Sequence, residues 1–219
     1  MKIEMGESLI YSWLRHIKGC QIAQENWKVS SQWTLLHQAE LQMIKDKTAE
    51  FFQEKYGYSI YKKNASLSQI IQQGESDCIG VCIQNGKAHA YAVDVAFHES
   101  GLNYGSRQET VMKIINKSIR TSMCMYGYMD IRDAEIVFAS PKIHKAIMDD
   151  AGPCIEDLQK LMDGLGYSFK YSLIANDSFQ NDILQPTLSV SEGVADTNEL
   201  FLRSYQMLKM FEGGKKSKN

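Results

Sequence analysis

Two aspartates, Asp77 and Asp94, are the residues of this chain best placed to do chemistry. They sit in the run ESDCIGVCIQNGKAHAYAVDVAFHE, residues 75–99, which reads as a β-hairpin. Asp77 stands at the mouth of the first strand, and Asp94 lies inside an otherwise apolar second strand. A carboxylate in an apolar strand is costly unless it is paired, hydrogen-bonded or bound to a metal. One hairpin bringing two carboxylates together makes a plausible hard-cation site, of the oxygen-rich kind that Mg²⁺ or Mn²⁺ prefers. The competing role for Asp94 is to accept hydrogen bonds from a neighbouring loop, and Glu-Ser-Asp before a strand is also an ordinary turn.

Strand alternation puts Ala92, Asp94, Ala96 and His98 on one face and Tyr91, Val93, Val95 and Phe97 on the other. The small alanines leave room for an ion or a phosphate beside Asp94. His98 is a candidate metal ligand or water-positioning group, or else a capping histidine. Upstream, Trp33, Leu36, Ile44 and Phe51 define an apolar helical stripe with Glu40 inside it, either a core-edge carboxylate or a site residue. Downstream, Lys113, Lys117 and Arg120, with Arg107 ahead of them, form either a basic edge suited to a phosphate backbone or a solvated helix surface.

The elements that must position these groups follow from periodicity and punctuation. An amphipathic N-terminal helix is expected over residues 7–25, carrying Leu9, Trp13, Ile17 and Cys20. A second helix is expected from about Gln32 to Lys55, with Ser31 as its N-cap and Gly57 as its stop. A short strand over Tyr58–Lys62 follows, then the hairpin strands Asp77–Gln84 and Ala88–His98, turned at Asn85-Gly86. Next come a helix over Glu109–Tyr126, a buried strand over Ala134–Ser140, helical pieces at Ile143–Asp149 and Pro153–Leu165, a strand over Tyr167–Ala175 and a helix over Asn198–Phe211. This order implies an α/β fold with a mixed sheet, at least one parallel pair and helices on both faces. A single domain is expected over residues 1–212, its core at about 32–140, with residues 141–212 as a C-terminal extension and 213–219 as a frayed tail.

Composition narrows the classes. The 24 Lys and Arg nearly balance 26 Asp and Glu, so no whole-molecule field advertises nucleic acid or membrane binding, and only local patches can. Five cysteines without a CxxC pair or zinc-finger spacing are expected to stay reduced. The acidic, amphipathic start MKIEMGESLI does not read as a signal peptide, and no apolar stretch approaches the roughly 20 residues that span a bilayer. A soluble, cytoplasmic protein is the expectation. GLNYG, residues 101–105, lacks the lysine and hydroxyl spacing of a phosphate-binding loop.

The pattern over about Gln32–Ser140 resembles the PD-(D/E)XK nuclease superfamily, the restriction-endonuclease-like fold, whose core is a helix, three strands, a helix and a strand. On that resemblance Asp77 matches the first acidic position, Asp94 the acidic member of the acidic-x-Lys signature, and Glu40 the carboxylate often supplied by the first core helix. Ala96 stands where the signature has its lysine. In some members that lysine comes from another element, and Lys113, Lys117 and Lys62 are the candidates here. The resemblance implies a Mg²⁺- or Mn²⁺-dependent nuclease hydrolysing DNA phosphodiester bonds. Glu40, Asp77 and Asp94 would then hold metal with His98, Lys113 would orient water, and Arg107, Lys117 and Arg120 would contact DNA. A homodimer is compatible with this. The alternative is a catalytically inactive module of the same fold that binds nucleic acid or a protein, which Ala96 favours. A third class is an interaction subunit of unrelated α/β fold, with Trp13 and Trp27 in an oligomer contact.

Overall fold

The hairpin forms where its turn chemistry places it. In a computed structural model, which describes residues 5–61, 66–195 and 197–212, Asn85 and Gly86 both take positive φ, 51° and 75°, as a two-residue turn matched to strand twist requires. In chain order the elements are α1 (Met5–His16), β1 (Ile22–Lys28), α2 (Gln38–Tyr56), α3 (Leu67–Gln72), β2 (Glu75–Gln84), β3 (Lys87–Val95), α4 (Arg107–Met129), β4 (Ala134–Ser140), α5 (Lys145–Gly164) and β5 (Lys170–Ala175). A π-helical turn (Phe179–Leu184), α6 (Gln185–Val190) and α7 (Leu200–Glu212) complete the described chain.

The five strands form one mixed sheet in the order β1-β2-β3-β4-β5. The first three pair antiparallel, and β3, β4 and β5 pair parallel, with α4 and α5 as the crossovers. Apolar side chains fill both faces. Ile79, Ala92, Ile136 and Phe138 pack with α2, α4 and α5 on one side; Cys78, Val93, Val137 and Ala139 pack with α1 and the π-helical turn on the other. The predicted face of α4 holds, since Val111, Ile114, Ile115, Ser118, Ile119 and Ser122 are all buried. A capping box between Ser106 and Glu109 fixes where α4 starts. The C-terminal α7 is tied to α1 through buried Glu199, whose Oε1 accepts from Arg15 Nη1 at 2.6 Å and lies 2.9 Å from His16 Nε2.

Five expectations are corrected. The helix read over 7–25 stops at His16, and residues 22–28 form strand β1 instead. Gly19, at φ 70°, turns the chain, and β1 is an edge strand, whose polar Gln24, Glu25, Asn26 and Lys28 conceal a strand signal. The second helix begins at Gln38, not Gln32: His37 sits in the left-handed region at φ 53°, and Trp33 and Leu36 lie before the helix, largely exposed. Residues 57–60 form no strand; Lys62 and the expected tail at 213–219 lie outside the described residues. The two helical pieces after β4 are one helix, α5, with Pro153 inside it. Trp13 and Trp27 are 2% and 3% exposed, so neither offers an oligomer contact. Among the described residues, no helix is long and apolar enough to cross a membrane.

Candidate active site

One step beyond the paired residues Cys78 and Val93, Asp77 on β2 stands across from Asp94 on β3, so the two carboxylates share the face that packs on α4. Directly opposed like charges destabilise a strand pair unless something compensates. Here the compensation comes from α4. Lys117 Nζ lies 3.1 Å from Asp94 Oδ1, and Thr121, one helical turn on, donates its hydroxyl to Asp94 Oδ2 at 3.1 Å. Asp94 is thus 2% exposed with both oxygens held. Asp77 is fixed from the strand itself, its Oδ2 accepting the Val95 N–H at 2.7 Å.

Asp77 and Lys117 border an open cleft of about 320 Å³ at the ends of β1, β2 and β3, and Asp94 lies buried behind Lys117. Its walls include Glu7, Asp77, His98, Tyr104 and Lys117. Glu7, in the first turn of α1 and 8% exposed, accepts a 2.8 Å hydrogen bond from Asn26 Nδ2 on β1. Asn26 takes φ 52° to make that approach, between the register pairs of Glu25 with Cys78 and Trp27 with Ser76. The His98 ring meets Tyr104 edge to face at 5.6 Å between centroids.

Burial, then the charge of Asp94, pushes the Asp77 carboxyl up to about 6, against the opposing pull of Lys117 and the Val95 N–H. Burial alone would lower the Lys117 ammonium, yet the charges of Asp94 and Asp77 outweigh it and hold it up to about 12. At neutral pH the cleft therefore carries one fixed cation between two carboxylates.

The raised Asp77 carboxyl has a stability consequence of definite sign. Folded protein binds this proton more tightly than unfolded chain, so stability falls as pH rises from about 4 through about 6 and stays reduced above. Asp77→Asn is expected to stabilise the metal-free fold at pH 8 by about 1–3 kcal/mol. In a thermal melt in EDTA this reads as a rise of about 2–4 °C per kcal/mol. The gain is expected to vanish below about pH 3, where Asp77 is protonated in both states; an unchanged or lower melting temperature at pH 8 would contradict the repulsion between Asp77 and Asp94.

Of the residues singled out from sequence, the fold brings Asp77, His98 and Lys117 to the cleft, holds Asp94 behind it on Lys117, and leaves others elsewhere. Glu40 is half-buried on α2 and does not line it; the helical carboxylate that does is Glu7. The physical reason is register: the buried stripe of α2 is Leu41, Ile44, Thr48 and Phe52, which excludes Glu40. Lys113 is exposed, its ammonium 4.5 Å from the centroid of the Tyr104 ring, so the lysine at Asp94 is Lys117. Arg107 is tied to Asp150 of α5 by a two-pronged ion pair. Arg120 lines a separate cavity with Lys113.

Sequence reasoning missed Glu7 and Tyr104. Glu7 carried a findable signal, because Glu7, Ile10 and Leu14 share one face of α1 and the latter two are fully buried. Tyr104 lies in the loop before α4, where no periodicity points to it.

Among the described residues, no three His, Cys, Asp or Glu side chains are arranged to hold a metal ion by themselves. Mg²⁺ and Mn²⁺ usually bind one or two carboxylates and complete their shell with water and substrate phosphate, and Asp77 and Glu7 are carboxylates at the cleft that could serve in that way. No protein-family model, curated protein or solved structure matches this chain.

Proposed function

We propose that the chain is a metal-dependent nuclease of the PD-(D/E)XK type, hydrolysing DNA phosphodiester bonds at the Asp77–Asp94–Lys117 cleft. The observation that carries this is the Lys117 ammonium 3.1 Å from Asp94, since it supplies from α4 the cation that Ala96, just past the end of β3, cannot supply. Element order adds support. The run α1, β1, β2, β3, α4, β4 has the helix, three strands, helix and strand of that core, with α2 and α3 inserted between β1 and β2. In this alignment the helical carboxylate is Glu7 and not Glu40.

Asp77 and Asp94, with Glu7 at the rim, would hold Mg²⁺ or Mn²⁺. When bound, such an ion lowers the pKa of coordinated water and offsets charge on the scissile phosphate. The protein's own groups do the rest. The Val95 N–H fixes the Asp77 carboxylate, while Thr121 and Lys117 fix Asp94. Lys117, protonated at all physiological pH values, presents a donor N–H to the attacking water or to a phosphoryl oxygen. Tyr104 and His98 wall the cleft. No nucleophilic Ser or Cys is needed.

A second reading, a binding module without catalysis, is favoured by one feature: both Asp94 oxygens are already engaged. Calorimetric titration separates the two. The nuclease reading expects Mn²⁺ binding in the micromolar to millimolar range that weakens at least about tenfold in Asp77→Asn, and EDTA-sensitive cleavage of single-stranded, duplex or branched DNA. Absence of both Mn²⁺ binding and cleavage would leave the binding module.

A further inference from the structure

A second cavity, of about 610 Å³, lies beside the cleft, and Tyr104 lines both. Its walls combine the flat rings of Tyr61 and Tyr104 with apolar Ile70 and Met112, and two cations, Lys113 and Arg120, reach it from α4. The Arg120 Nε is buried and, among the described residues, has no hydrogen-bond partner. A buried guanidinium N–H without an acceptor is unfavourable in the empty protein and would be relieved by a ligand that brings one. Among the described residues the single carboxylate lining the cavity is Glu109, and its Oε2 accepts the Ser106 N–H at 2.7 Å.

Position on α4 links this cavity to the cleft. Lys113 and Arg120 lie four residues before and three after Lys117, so each is a neighbour of Lys117 on one helix face, with Cβ atoms about 5–6 Å from its own. A polymer whose phosphate sits at Lys117 therefore runs its next unit past Tyr104 into the cavity. A phosphate alone needs no aromatic and apolar wall. A nucleobase does, with its apolar faces and polar edge, and bases in a duplex are stacked away from such a pocket. The volume falls within the roughly 300–1,000 Å³ of small-molecule sites.

Building on the nuclease reading, we infer that this cavity receives an unstacked nucleotide adjacent to the bond at the cleft, so that the preferred substrate is single-stranded nucleic acid. The base lies against Tyr61, Ile70 and Met112, and Arg120 and Lys113 hold its polar edge and phosphate.

Fluorescence anisotropy in EDTA tests this without cleavage, using a labelled DNA strand of about 12 nucleotides and the same strand as a duplex. The wild-type protein is expected to bind the single strand at least about tenfold more tightly than the duplex. Arg120→Gln and Lys113→Gln are each expected to weaken single-strand binding about tenfold and to lower the logarithmic salt slope by about 0.7. Lys113 is exposed, so its variant keeps the test valid if Arg120→Gln is poorly folded. Equal or tighter duplex binding by the wild type, or wild-type single-strand binding by both folded variants, would overturn the inference. The two proposals fail separately: single-strand binding lost in the variants without any Mn²⁺-dependent cleavage upholds the cavity and removes the nuclease. Duplex cleavage unaffected by Arg120→Gln and Lys113→Gln does the reverse.

Discussion

Lys117→Met is expected to lower kcat for DNA cleavage by about 10²–10⁴-fold, the range for a positioned proton-handling group. Lys113→Met, four residues away, is expected to raise KM and leave kcat within about threefold. The contrast follows from position: Lys117 is 3.1 Å from Asp94 with its side chain 21% exposed, whereas Lys113 is exposed and lies over Tyr104. Removing the ammonium also leaves Asp94 buried without its counterion, a loss that for buried pairs runs to about 3–5 kcal/mol. A variant that had merely unfolded would mislead, so the informative control is the double change Lys117→Met with Asp94→Asn. That pair removes both charges and is expected to recover much of the stability in urea unfolding while recovering none of the activity. Cleavage by Lys117→Met within about threefold of wild type would transfer the role to another cation.

Asp94→Ala is expected to abolish detectable cleavage and to destabilise the fold by about 3–5 kcal/mol, because Lys117 is then buried without either oxygen of its partner. Thr121 loses its acceptor as well, adding about 1 kcal/mol. Urea unfolding of wild type and variant measures the sum. The opposite sign expected for Asp77→Asn makes the pair diagnostic. The two aspartates face each other across β2 and β3, yet removing one charge relieves repulsion while removing the other takes from Lys117 its hydrogen-bonded partner.

Much of this site is legible in the sequence. The Asn85-Gly86 turn fixes the hairpin register, and register alone puts Asp77 opposite Asp94, because a period of two leaves no freedom once the turn is set. β4 and the buried face of α4 were equally legible, being an apolar run stopped by Pro141 and a clean helical stripe. Strand β1 was not: at the sheet edge only Trp27 is buried, so its sequence lacks the alternation that marks a half-buried strand. Missing β1 made α2 the helix expected ahead of three strands, so Glu40 was singled out where Glu7 of α1 is the helical carboxylate that lines the cleft. The choice between Lys113 and Lys117 lay beyond periodicity, since both precede a turn of α4 that carries buried residues. What separates them is the tertiary approach of α4 to β3, which places Lys117 and Thr121 together on Asp94.

The most direct measurement is a paired cleavage assay of wild type and Asp77→Asn with Mn²⁺ on single-stranded, duplex and branched DNA, alongside thermal melts of both in EDTA at pH 8. The Asp77–Asp94–Lys117 account predicts EDTA-sensitive cleavage by the wild type and none by Asp77→Asn, although that variant melts higher. Cleavage that survives the substitution, or a wild type inert on every substrate, would contradict it.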